Sequence, residues 1–176
     1  VASFFLSRID VLTDQILRQY EFQDGKQSPD PRGLAGKAGG ASARLAYQKF
    51  KEIFHSEAWN KLAAKGAHVQ RVLWASTSNK DPHCSDVRYV NTLIGPDTVN
   101  TLPDETIDAF ADHGELKADT IEEGLPEAKG VFPALHHFDI DIDFITRQLE
   151  YEGVDKFMVA FDKLSKALEK KMTEVK

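Results

Sequence analysis

Basic charge, cysteine and long apolar runs are all scarce in this sequence, and each shortage removes a class of function. Lysine and arginine total 22 against 28 aspartates and glutamates, a net charge of −6. A general nucleic-acid binder instead needs a basic face to neutralise phosphates. Anionic small molecules stay within reach, because a few well-placed cations outweigh the global field locally. The single cysteine, Cys84, excludes a disulfide within the chain and suits a reducing compartment. No apolar run approaches the roughly 18 residues that span a bilayer, and no basic n-region opens the chain as in a signal peptide. The chain starts at Val1 inside a strand-like run, so a processed or truncated product with chain missing upstream is expected.

What is present is ordinary globular composition, 41% hydrophobic and 28% charged over 176 residues. That length fits one domain, which at this size buries about 70% of its unfolded surface. Residues 1–176 therefore read as a single domain, with a flexible loop over 21–40 where glycines, Pro29 and Pro31 break periodicity.

The periodicities alternate. Val1–Leu6 is a short apolar run of the kind found in buried parallel strands. Ile9, Leu12, Ile16 and Tyr20 then recur at helical steps, as do Ala43, Ala46, Tyr47, Phe50, Ile53 and Phe54 from a helix restarting near Lys37. A short helix follows, with Ser56 as its cap and Gly66 closing it. Val69–Ser76 is the second strand, Asn79–Asp86 a polar loop, Val90–Ile94 a brief helix and Asp97–Leu102 the third strand. Pro103, Asp104 and Glu105 mark another helix start. Beyond them the chain reads as helical. Thr120 and Glu123 stand at capping-box spacing, Pro126 and Pro133 limit the helices, and Asp141 serves as a cap. Gly153 is expected to end one apolar stripe (Phe144, Ile145, Leu149) before another begins (Phe157, Phe161, Leu164, Leu168). The second stripe lacks sustained heptads and is expected to pack on the same domain. Strand, helix, strand, helix, strand, helix implies parallel strands with helical crossovers.

Candidate chemistry collects at strand ends, where α/β proteins build their sites. Arg8 falls just past the first strand and offers a planar fork to phosphate or carboxylate; it could equally pair with an acid such as Asp10. Ser76, Thr77, Ser78, Asn79 and Lys80 follow the second strand and make a plausible oxyanion cradle, although such runs are common in plain turns. Other candidates fail on spacing. GLAGKAGG lacks a phosphate loop's ending, adjacent His136 and His137 cannot share a helix face, and Asp139, Asp141 and Asp143 lack the glycine and distal glutamate of a calcium loop. Cys84 beside His83 has no base held at a fixed distance, and Trp59 and Trp74 read as packing residues.

VASFFLSRID resembles the sixth barrel strand of transaldolases, which carries a serine, an aromatic and an arginine in this arrangement. LWASTSNKDP and LIGPDTVNTLP resemble the seventh strand, its short helix and the eighth strand, and EGVDKFMVAFDKL is similar to the family's last helix. The wording is closest to the plant and bacterial branch, and the weakest match runs from Gln19 to Gly40. The resemblance implies an α/β fold: the C-terminal portion, strands six to eight with their helices, of a (β/α)8 TIM barrel with a helix-rich C-terminus. It implies transfer of a dihydroxyacetone unit between sugar phosphates in the pentose phosphate pathway, with no cofactor and no metal. The family's imine-forming lysine and its proton-handling glutamate and aspartate lie on earlier strands without counterparts here, so the isolated chain is expected to be inactive. By the same resemblance Arg8 and Ser76 bind substrate phosphate and Ser3 and Phe5 line the site. Ser78 stands where the family often has a second arginine, with Lys80 as its substitute. Expected partners are sugar phosphates, the missing N-terminal strands and a second copy in a homodimer, with neither nucleic acid nor membrane. The expected compartment is the cytoplasm or plastid stroma. The alternative is a non-catalytic half-barrel scaffold or interaction module.

Overall fold

The computed structural model describes residues 1–21, 30–81 and 84–174. Short β-favouring runs alternate with amphipathic helices in the order β1 (Ala2–Phe5), α1 (Leu6–Glu21), α2 (Ala38–Phe54), α3 (Glu57–Ala63), β2 (Val72–Ala75), α4 (Arg88–Thr92), β3 (Thr98–Asn100), α5 (Asp104–His113), α6 (Leu125–His136) and α7 (Ile142–Glu174). The strands form one parallel sheet in the order β1-β2-β3. Ala2 stands opposite Val72, Phe5 opposite Ala75 and Trp74 opposite Asn100. All three strands therefore finish on the same rim. Two compact units result, residues 1–141 with the sheet and residues 142–176 with α7.

Strand side chains alternate between faces, and here the two faces differ in cover. Val72 and Trp74 are buried in a cluster with Leu6, Ala43, Tyr47, Phe50, Tyr89, Leu93 and Ile121, against which Phe4 and Phe54 pack. The Trp74 indole N–H donates to the Leu93 carbonyl at 3.2 Å, so the buried ring keeps its polar atom satisfied. The opposite face carries Ser3 and Phe5, both exposed. The first strand is thus half-buried on one side and exposed on the other, not buried on both as its continuous apolar run suggested.

Several local expectations hold with a stated mechanism. The Ser56 hydroxyl accepts the Trp59 N–H at 3.1 Å and starts α3, while Gly66 takes the left-handed φ of 90° behind it. Within 21–40, residues 22–29 lie outside the described residues. Pro31–Gly33 form a 3-10 turn capped by Asp30, and α2 begins at Ala38. Proline 82 and His83 of the expected loop also lie outside the described residues. Other expectations fail. Thr120 starts no helix; its hydroxyl accepts the Ile94 N–H at 3.0 Å, and α6 begins only after left-handed Gly124. Pro133 lies inside α6. It faces solvent beside exposed Lys129, whose carbonyl loses its helical donor and can take water instead. Gly153 does not end a helix, and α7 runs unbroken for 33 residues. Phe157, Phe161, Leu164 and Leu168 on it are all exposed.

Candidate functional site

The first turn of α1 carries the site. Leu6, the first helical residue, follows Phe5 directly, with no connecting loop. Arg8 is exposed, and its guanidinium lies 4.9 Å from the centroid of the Phe5 ring. That contact is with the guanidinium face, and the N–H groups make no hydrogen bond among the described residues. Arg8 makes no ion pair among the described residues. Asp10, its nearest acidic neighbour in sequence, is taken by other groups.

Ser76 immediately follows β2 and occupies the left-handed region at φ 54°. The Ser76 carbonyl accepts the Ser7 N–H at 3.1 Å, one of the donors that a helix start otherwise leaves unpaired. The two hydroxyls lie 2.7 Å apart. Ser76 is therefore locked to the residue that precedes Arg8. Next to it, the buried Thr77 hydroxyl donates to the Thr101 carbonyl at 2.9 Å and ties the end of β2 to the residue after β3. Lys80 is exposed further along, and its ammonium donates to the Ser78 hydroxyl at 2.6 Å.

Of the five residues singled out from the sequence, Phe5 and Arg8 meet directly, and Ser76 joins them through Ser7. Ser3 shares the exposed sheet face with Phe5, and Lys80 contacts Ser78 in place of Arg8 or Ser76. What the arrangement offers is a guanidinium with no ion pair among the described residues and a fixed hydroxyl, each just past the end of one of two neighbouring strands on the same rim. That combination suits an anionic oxygen group.

Behind this rim lies a polar cluster that sequence reasoning missed. Asp10 is 2% exposed. It accepts the Gly39 N–H at 2.7 Å, the Arg88 guanidinium at 3.1 Å and the Tyr89 hydroxyl. Burial pushes its carboxyl above the usual range, against the pull of the Gly39 N–H, Tyr89 and Arg88. Asp14, one helical turn on, accepts the Gly36 N–H at 2.9 Å, and burial pushes it up to about 6. The signal was present in the spacing. The buried positions of α1 are Leu6, Ser7, Ile9, Asp10, Thr13, Asp14 and Leu17, so the inward stripe includes two carboxylates that a search for apolar periodicity passes over.

The family model for transaldolase and fructose-6-phosphate aldolase matches residues 1–168. The chain belongs to this family. Among curated relatives, it is 48% identical to Transaldolase 2 of Nostoc sp. (strain PCC 7120) over 179 residues, covering 98% of this chain and 46% of that protein. It is 46% identical to a transaldolase of Frankia alni over 164 residues, covering 93% of this chain and 43% of the relative. Transaldolase 1 of Streptomyces avermitilis is 44% identical over 168 residues, with 96% of this chain and 43% of the relative covered. The chain thus spans less than half the length of these relatives. A parallel α/β sheet with helical crossovers agrees with part of a TIM barrel. Among the described residues, no helix is long and apolar enough to cross a membrane.

Proposed function

We propose that this chain is the C-terminal part of a transaldolase, supplying barrel strands six to eight and the phosphate-binding end of the active site. The whole enzyme transfers a dihydroxyacetone unit from sedoheptulose 7-phosphate to glyceraldehyde 3-phosphate, giving erythrose 4-phosphate and fructose 6-phosphate. Arg8 and Ser76 hold the substrate phosphate, Ser3 and Phe5 line the cavity, and Lys80 adds a second, monodentate cation. An ammonium attracts phosphate without the bidentate fork of arginine, so Arg8 carries most of the recognition. The imine-forming lysine lies outside this segment, and the isolated chain is inactive.

The observation that supports this reading best is the placement of Arg8 and Ser76. They follow neighbouring parallel strands at the same rim, joined by the Ser7–Ser76 contact, while Arg8 has no carboxylate partner among the described residues. In the full-length protein, Arg8→Ala should raise KM for sugar phosphates at least about tenfold, as expected for a lost charge-assisted hydrogen bond of roughly 1.5–3 kcal/mol. An unchanged KM would sink the assignment. Borohydride should trap no substrate adduct on residues 1–176 alone.

The exposed apolar side chains of α7 favour a second reading, a non-catalytic interaction module. Sugar-phosphate turnover by the full-length protein, lost with Arg8→Ala, decides against it.

A further inference from the structure

Ser7 is a small polar residue in the first turn of a helix, and it is 2% exposed. Burying a hydroxyl is unfavourable unless it is hydrogen-bonded, and the partner here is one atom, the Ser76 Oγ at 2.7 Å. Its backbone N–H is spent on the same residue, reaching the Ser76 carbonyl at 3.1 Å. The backbone N–H and the hydroxyl of Ser7 thus both act on Ser76, a non-glycine residue held at φ 54°. Such left-handed conformations persist only where surrounding contacts over-determine them.

Proton direction matters. The oxygens of a phosphate dianion, the main form above about pH 6, only accept hydrogen bonds, so Ser76 must donate its single hydroxyl proton to the ligand. That proton is free only if the Ser7 hydroxyl is the donor in the Ser7–Ser76 contact. A hydroxyl that accepts one bond is also polarised toward donating the next. We propose that Ser7 is a positioning residue for the phosphate site: it never touches substrate, but it fixes the Ser76 backbone and aims the Ser76 proton at the bound anion beside Arg8. This inference rests on the transaldolase reading and deepens it.

The test is a cycle of variants in the full-length protein, Ser7→Ala, Ser76→Ala and both together, with Arg8→Ala as reference. It reads KM, kcat, Tm and competitive inhibition by inorganic phosphate. Ser7→Ala should raise KM about three- to tenfold, the worth of one neutral hydrogen bond. Phosphate inhibition should weaken by the same factor, with kcat within about twofold. On the Ser76→Ala background, Ser7→Ala should add nothing. Equal effects of Ser7→Ala with and without the Ser76 hydroxyl would overturn the proposal. So would an unchanged KM in Ser7→Ala while Arg8→Ala and Ser76→Ala raise theirs. If neither of those two variants raises KM, the transaldolase reading fails first and takes this inference with it. Ser7→Cys keeps the buried volume with only a weak donor, and serves where alanine disturbs folding. It should give an intermediate KM, and a wild-type value would count against Ser7.

Discussion

A left-handed serine at a strand end costs about 1–2 kcal/mol relative to an ordinary backbone, and Ser76 adopts that conformation where the proposed ligand binds. Glycine accepts the same φ without the penalty. Both Ser76→Gly and Ser76→Ala leave the buried Ser7 hydroxyl without its partner, but only glycine also relieves the backbone strain. Ser76→Gly should therefore show a higher Tm than Ser76→Ala while KM rises equally in both; equal Tm values would contradict the strain. Asp10 is the opposite case. Its carboxylate gathers Gly39, Arg88 and Tyr89 from two other helices, and Asp10→Ala leaves the Arg88 charge largely buried without its partner. Urea unfolding should register a loss of about 3–5 kcal/mol. Arg8 could be singled out from the sequence because its exposure and strand-end position follow from local pattern. Ser7 and Asp10 could not, since their principal partners lie 69 and 78 residues away.

The join between α1 and α2 is unusually close. A Cβ on Gly39 would stand 2.6 Å from the Leu6 carbonyl oxygen and 2.9 Å from the Asp10 carboxylate, so only glycine lets the second helix present its N–H to Asp10. Asp14 holds the same junction through Gly36. Its carboxyl, pushed up to about 6 from 3.8 by burial, binds a proton more tightly folded than unfolded. The stability tied to that proton is complete below the unfolded value and is lost as pH rises through about 6. Asp14→Asn keeps an acceptor for the Gly36 N–H without the charge. Its Tm relative to wild type should therefore climb as pH is raised from about 4 to 7, and a flat difference would contradict the assignment. At this scale the sequence was readable wherever a local rule decided the outcome. Ser56 caps α3, Pro103 precedes α5, and Gly66 turns the chain. It misled at Gly153, because one glycine costs a helix only about 1 kcal/mol, too little to interrupt a helix that continues for many residues on both sides. Thr120 misled because its hydroxyl serves the distant Ile94 N–H in preference to a helix start.

Over the whole molecule, large apolar side chains stand exposed in two places. Phe5 is 46% exposed on the sheet face opposite the core, and α7 displays Tyr151, Phe157, Phe161 and Met172 at 68–76% exposure. Exposed apolar area of this kind drives association. Residues 1–176 produced alone should elute in size-exclusion chromatography at apparent masses that grow with concentration, and a sharp monomer peak would count against this. The two margins of the sheet settle what form that growth takes. Among the described residues, Ala2–Phe5 and Thr98–Asn100 each present an unpaired ladder edge, one the left half of a parallel join and the other its right half. Two copies docked margin to margin recreate the same unlike pair at their outer limits, so nothing halts addition at a dimer unless the strands bend round into a closed ring. Assemblies of residues 1–176 should accordingly form an open-ended series, which ends only where something else occupies both margins at once.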